Sequence, residues 1–234
     1  VTEALRLLAE WNGEMNEHLP EPLIFYSWMR KLQQRLTQDE LGVLSKEFSN
    51  FEPLFLERVF RDIDGASQWC DVLQSIPVEK CETIAELALY DAISELRERY
   101  KLKMNSLRWG DVHIAMHDHL TLGHIPLLNL LINLRQSVSG GDYTLMRGLS
   151  SGNEYNPFEN VHAAVYRGIY DFSDPDSSLY IISTGQSGHL FSRHYDDLGQ
   201  LWRRGEYINM SLDPDLAKAA SNGTTKIIPA PNLQ

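Results

Sequence analysis

A chain of 234 residues with 43% hydrophobic and 23% charged residues is long enough to bury one large core or two small ones, and it reads as globular. A formal net charge of −11 argues against a nucleic-acid partner, because neutralising phosphates needs clustered Lys and Arg, and a short basic spot such as Arg203-Arg204 does not supply them. No apolar run reaches the roughly 20 residues of a membrane-spanning helix; the longest, residues 125–134, is broken by Pro126, Asn129 and Asn133 and is expected to be a buried segment.

Taken in chain order, the first half is predicted helical. Ala4, Leu5, Leu7, Leu8 and Trp11 recur at helical spacing and stop at Gly13, and a second helix is predicted over residues 23–36. Thr37 with Glu40 has the capping-box spacing, which predicts a new short helix toward Leu44. An apolar run over residues 53–60 follows a turn at Asn50. Thr83 and Glu86 repeat the capping-box spacing and predict a helix to about Tyr100, with Ile84, Leu87, Ala88, Ile93 and Leu96 on its apolar face and Glu95, Arg97, Glu98 and Arg99 in solvent.

Beyond Trp109 the punctuation changes. Gly140-Gly141 and residues 150–156 read as turns, Pro175 fixes a polar turn over residues 174–178, and residues 143–146, 162–171 and 179–183 are predicted strands. The pattern divides the chain into a mainly helical region, residues 1–105, and a strand-rich region, residues 106–234. The predicted class is α+β.

Cys70 and Cys81 are the two cysteines, flanked by loop-forming residues around Pro77. A bond between them would stabilise the chain by about 3 kcal/mol on the loop-entropy picture and would imply an oxidising compartment. The alternative is two separate thiols, since spacing does not fix connectivity.

The densest set of potential ligands is His113, His117, His119 and His124 with Asp111 and Asp118 between them. On a helix His113 and His117 would share a face, a spacing able to hold zinc given one or two further donors. The zincin pattern, however, requires a Glu after its first His, where Ile114 stands. The competing reading makes Trp109, Gly110, His113 and His119 packing and hydrogen-bonding residues of a turn entering a sheet.

Near the end, Gly185-Gln186-Ser187-Gly188 is one residue short of a nucleophile elbow, and a tight turn after a strand accounts for it. His194 with Asp196 or Asp197 has the residue types of a base and its orienter beside Ser187. The competing expectation is that they fix the turn and cap residues 197–204, with the aspartate favouring the helix dipole. Trp202 and Tyr207 are expected to anchor that segment, and Arg203 and Arg204 to be solvated or paired across a chain interface.

Taken together, the ordered pieces Thr184-Gly185-Gln186-Ser187-Gly188, His194-Tyr195-Asp196-Asp197, Leu201-Trp202 and Gly205-Glu206-Tyr207 resemble the C-terminal signature of the penicillin amidase family. Trp109-Gly110, His113, His119, Gly140-Gly141-Asp142-Tyr143-Thr144 and Arg147-Gly148 resemble the blocks that precede it. The resemblance implies an N-terminal nucleophile hydrolase with an αββα core, in which strands of this chain complete sheets begun upstream. Members are made as one precursor that cuts itself into a small and a large chain, and the large chain starts with a catalytic Ser whose α-amine acts as base. This chain starts with Val1, so the expectation is the C-terminal part of the large chain, inactive alone, with no catalytic, cofactor-binding or metal-binding residue assigned within it.

Family members bind calcium through acidic residues earlier in the enzyme, and no calcium site carries over to this sequence. The implied substrate is a small-molecule carboxamide of the penicillin or N-acyl-homoserine lactone type, and the implied compartment is the bacterial periplasm, in agreement with a disulfide. The implied partner is the upstream remainder of the precursor; without it, exposed strand edges would drive aggregation or a homo-oligomer. Two other classes stand against this reading: a zinc-dependent hydrolase using the histidines from His113 to His124, and a non-catalytic interaction module.

Overall fold

A computed structural model describes residues 1–221 and 223–229. These fall into two compact units, residues 1–164 and residues 165–234.

Four longer helices open the first unit: α1 (Thr2–Glu10), α2 (Glu21–Leu41), α3 (Pro53–Phe60) and α4 (Cys81–Tyr100). Helices α2 and α4 pack together. The stripe Ile84, Ala88, Leu89, Ala92, Ile93 and Leu96 of α4 closes on Leu23, Ile24, Leu32 and Leu36 of α2, all buried. Each fully buried Leu or Ile is worth about 1.5–3 kcal/mol, so this seam dominates the stability of the helical layer. Its edges are tied by Trp28 Nε1 donating to Ala85 O at 2.8 Å and by the pairs Lys31–Glu95 and Arg35–Asp91, both at 2.6 Å.

The capping-box expectations do not hold. Thr37 lies inside α2, buried against the seam, and its hydroxyl donates to Gln33 O at 2.9 Å, one turn back. The helix therefore runs on to Leu41 before a 3-10 stretch, Gly42–Phe48. Helix α4 starts at Cys81, two residues before Thr83, with no side-chain cap, and the Cys70–Cys81 disulfide ties its first residue to the 3-10 segment Ile63–Cys70. Leu87 faces solvent, whereas Glu95 is half-buried between Lys31 and Arg99. Buried Gln33 links α2 to the returning chain: its amide nitrogen donates to Phe48 O and Asn50 O, and its carbonyl accepts from Glu52 N.

Against this layer lies a four-stranded sheet of β1 (Ile114–His117), β2 (Leu134–Ser137), β3 (Gly148–Ser150) and β4 (Asn160–Ala163), in the order β2-β1-β4-β3. Strands β1 and β2 are antiparallel with Ile114 opposite Ser137. Strands β1 and β4 run parallel through Ala115 and Asn160, and β3 pairs antiparallel with β4 across an irregularity at Leu149/Ser150. The single turn α5 (Asn129–Ile132) lies in the β1–β2 connection. The second unit holds a sheet of β5 (Tyr166–Ile169), β6 (Leu179–Ile182) and β7 (Ile208–Asn209), in the order β5-β6-β7. It also carries α6 (Gly199–Arg204) and α7 (Pro214–Ala220), the latter capped by the Asp213 carboxylate on Asp215 N and Leu216 N.

Three strand-region expectations are corrected. Residues 143–146 form a turn, because Thr144 Oγ1 bonds Gly141 N and Met146 O and folds the chain back on itself. Residues 162–171 form two strands in different sheets, with the break between the units at Ala164 and Val165. Residues 125–134 do not form a buried segment: Ile132 is buried, but Leu127, Leu130 and Leu131 are strongly exposed. No described helix is long and apolar enough to cross a membrane.

Candidate functional site

Trp109-Gly110, His113, Gly140-Gly141-Asp142 and Gly148 converge where the helical layer meets the four-stranded sheet, and His119 lies apart in the β1–β2 connection. Trp109 and Gly110 form a 3-10 turn held by Trp109 N on Leu19 O at 2.9 Å and Gly110 N on Glu17 O at 2.8 Å. A side chain at Gly110 would stand 2.1 Å from Ser137 Oγ, so the position requires glycine. The Trp109 indole is fully buried and donates to Gly140 O at 2.8 Å. His113 stacks on it with ring centroids 4.4 Å apart.

The His113 Nδ1–H donates to Phe158 O at 2.7 Å, leaving Nε2 buried beside Gly148 without a hydrogen-bond partner. Burial is the main cause that pushes its pKa down to about 4, only partly opposed by the Phe158 carbonyl. The ring is therefore neutral near pH 7 and sealed from solvent, which suits a structural role and not proton transfer to a bound molecule.

The Gly140-Gly141-Asp142 block completes the joint. Gly140 has φ +96 and donates to Met15 O at 2.7 Å; Gly141 lies so close to Tyr26 that an added methyl would meet its hydroxyl at 2.5 Å. Asp142 N donates to that hydroxyl at 2.8 Å, and the Asp142 carboxylate accepts from Ser150 N at 2.6 Å. Desolvation raises the carboxyl pKa of Asp142, and the Ser150 bonds oppose the rise.

The remaining members of the histidine set are dispersed. His117 sits on β1 opposite Leu134, with its pKa lowered first by burial and then by Arg135. His119 Nδ1 accepts from Thr121 N and Leu122 N, and Asp118 pairs with Arg135 at 2.5 Å. His113 precedes β1 and His117 ends it, so the two share no helix face. Among the described residues no group of three or more His, Cys, Asp or Glu is placed to hold a metal ion.

In the second unit the segment after β6 is a tight turn. Ser187 N donates to His194 O at 2.9 Å, and Leu198 N to Thr184 O at 3.2 Å. A methyl at Gly185 would stand 2.0 Å from His194 O. His194 Nδ1 meets Asp197 Oδ2 at 2.7 Å, while its Nε2 accepts from Arg193 Nε at 2.9 Å and Ser187 Oγ accepts from His189 N. Both imidazole nitrogens are thus engaged away from the Ser187 hydroxyl, and the pair fixes the turn.

Asp197 does not cap α6, which starts at Gly199 with no side-chain cap. Trp202 is buried as expected, with the Arg167 guanidinium 4.7 Å above its ring. Arg204 pairs within the chain with Glu206 at 2.7 Å.

One cleft carried no signal in the sequence. A cavity of about 440 Å³ lies between α2, the 3-10 stretch 42–48 and the loop 151–154. Its lysines are paired internally, Lys31 with Glu95 and Lys46 with Glu154, and the Arg30 guanidinium donates to Ser49 O and Gly152 O.

The blocks described above are thus buried and hydrogen-bonded within the chain. The profile of the penicillin amidase family matches residues 1–219. The chain belongs to the penicillin amidase family. It is similar to the acyl-homoserine lactone acylase QuiP of Pseudomonas syringae pv. tomato, 25% identical over 90% of this chain and 26% of that protein. It is also similar to the penicillin acylase 2 proenzyme of a Pseudomonas species, 26% identical over 60% of this chain and 18% of that protein. Among solved structures it resembles the thermostable penicillin G acylase from Alcaligenes faecalis, with a TM-score of 0.51 and 16% identity over 98% of this chain and 43% of that one. This penicillin amidase family chain spans about a quarter of the length of QuiP, and its mixed helix-and-sheet fold is shared with the acylase.

Proposed function

We propose that this chain is the C-terminal part of the large chain of a penicillin amidase family acylase, and that it is inactive alone. The observation that carries the proposal is the family match over residues 1–219 in a chain that covers only 26% of an acylase relative. The burial of His113 and the internal engagement of His194 and Asp197 support it, since neither leaves a base free to serve a nucleophile.

In the whole enzyme an N-terminal Ser hydroxyl adds to the carbonyl carbon of a carboxamide and passes its proton to the Ser α-amine. That proton moves to the departing amine as the C–N bond breaks, leaving an acyl ester that water then hydrolyses to the acid. The role of residues 1–234 is to complete the αββα core around that site. A penicillin or an N-acyl-homoserine lactone is the substrate class, and the disulfide between Cys70 and Cys81 favours the periplasm.

The test is intact-mass measurement and N-terminal sequencing of every chain of the natural mature protein, followed by amide-hydrolysis assays with both substrate types. A companion chain starting with Ser, with activity in the whole protein and none in residues 1–234 alone, is the expected result. Hydrolysis by the 234-residue chain itself, or a mature protein with no Ser-initiated chain, refutes it.

A further inference from the structure

The connection between β1 and β2 is the part of the first unit that the proposed framework role does not use. Residues 119–134 contain no Asp, Glu, Lys or Arg in a chain that is 23% charged. They leave Leu120 90%, Leu127 79%, Leu130 78% and Leu131 69% exposed. Four leucines on one short connection form an apolar display of the kind that soluble surfaces avoid unless another surface covers it.

The display is built and not slack. Asn133 ties the two ends together: its side-chain oxygen accepts from His119 N and its amide nitrogen donates to Gly123 O, both at 3.0 Å. Gly123 N closes the turn on His119 O at 2.8 Å, and a methyl at Gly123 would stand 2.5 Å from that oxygen. Ile132 is buried beneath, and Leu127 is held at φ +68, a backbone region that a leucine rarely adopts. The connection leads directly into β2, an edge strand of the sheet.

We infer that residues 120–131 are a preformed apolar plug that docks on the remainder of the same precursor. The inference rests on the proposed function, and the relatives' length identifies the occupant: about three quarters of QuiP lies outside the matched part, so faces that are internal in the whole protein are open here. A lipid surface fits less well, because interfacial segments carry Lys or Arg beside their apolar residues and this stretch carries none. Preorganisation by Asn133 lowers the ordering cost of docking.

The experiment places a photoreactive benzoylphenylalanine at Leu130 of the full-length mature enzyme, with Leu131 as the second position if the first variant does not assemble, and maps the adduct by mass spectrometry. The expected result is a covalent adduct to a peptide outside residues 1–234. An adduct to a second copy of residues 1–234, an adduct to lipid, or no adduct overturns the inference.

Hydroxyl-radical footprinting of the unsubstituted enzyme is a second measurement. Oxidation of Leu120, Leu127, Leu130 and Leu131 is expected to fall to that of buried Ile132, and oxidation equal to that of the urea-unfolded enzyme overturns the inference. Sequencing on the same sample separates the two proposals: a Ser-initiated chain without the adduct sinks the docking alone, and the adduct without such a chain sinks the catalytic reading alone.

Discussion

Replacing His113 by Phe tests whether the stack on Trp109 is held by a neutral, proton-excluding imidazole. A histidine with a folded pKa below its unfolded value leaves the unfolded chain holding more protons, so stability falls as pH drops. Here the fall begins near the ordinary value of 6.5 and is complete below the folded value of about 4. At 1.36 kcal/mol per pH unit the whole contribution is about 3 kcal/mol, most of which is lost by pH 4.5. The Phe variant keeps the aromatic stack but orphans the buried Phe158 carbonyl, which costs about 1–3 kcal/mol at pH 7.5.

Urea unfolding followed by tryptophan fluorescence, at pH 7.5 and pH 4.5, gives both numbers. The variant is expected to be less stable at pH 7.5, and the gap to the parent is expected to close or invert at pH 4.5 because only the parent loses the histidine contribution. Other titrating groups are common to both proteins and cancel in the difference. An equal gap at both pH values refutes the reasoning.

Replacing Cys70 and Cys81 together by Ser reopens a loop of sequence separation 11 and is expected to lower stability by about 3 kcal/mol, read by chemical denaturation; a loss below about 0.5 kcal/mol would show that the segment is already ordered when reduced. Gly140→Ala is expected to destabilise by at least about 2 kcal/mol, since a non-glycine residue at φ +96 is strained and its methyl would lie 1.9 Å from Met146 O. Thermal unfolding checks it, and an unchanged melting temperature would mean the turn relaxes freely.

The long helices were legible because α2 and α4 repeat their apolar residues at helical spacing over about five turns, and no local signal competes with that. Their ends were less so. Thr37 with Glu40 looks the same in sequence whether it opens a helix or lies within one; burial of Thr37 and its bond to Gln33 O decide the matter, and both depend on tertiary packing. Strands β1 to β4 are four residues or fewer, too short for alternation to register, and the turn at residues 143–146 resembles a strand until Gly140 and Thr144 fold it back.

The framework residues were legible through the resemblance, but their convergence was not. Trp109 meets Gly140, and His113 meets Phe158, across 31 and 45 residues respectively. The leucine run was the plainest misreading: hydrophobic composition alone does not place a residue inside, and Leu127, Leu130 and Leu131 are exposed.

Gln33 imposes a length rule on this part of the molecule. One amide side chain on α2 reads the backbone at residues 48, 50 and 52 simultaneously. An insertion or deletion between these positions would displace one backbone group from its partner and strand a polar atom in the interior. Related chains that keep the glutamine are therefore expected to vary in length elsewhere and to conserve the count from residue 48 to residue 52. That spacing serves as an alignment anchor where identity alone, at about a quarter, gives little purchase.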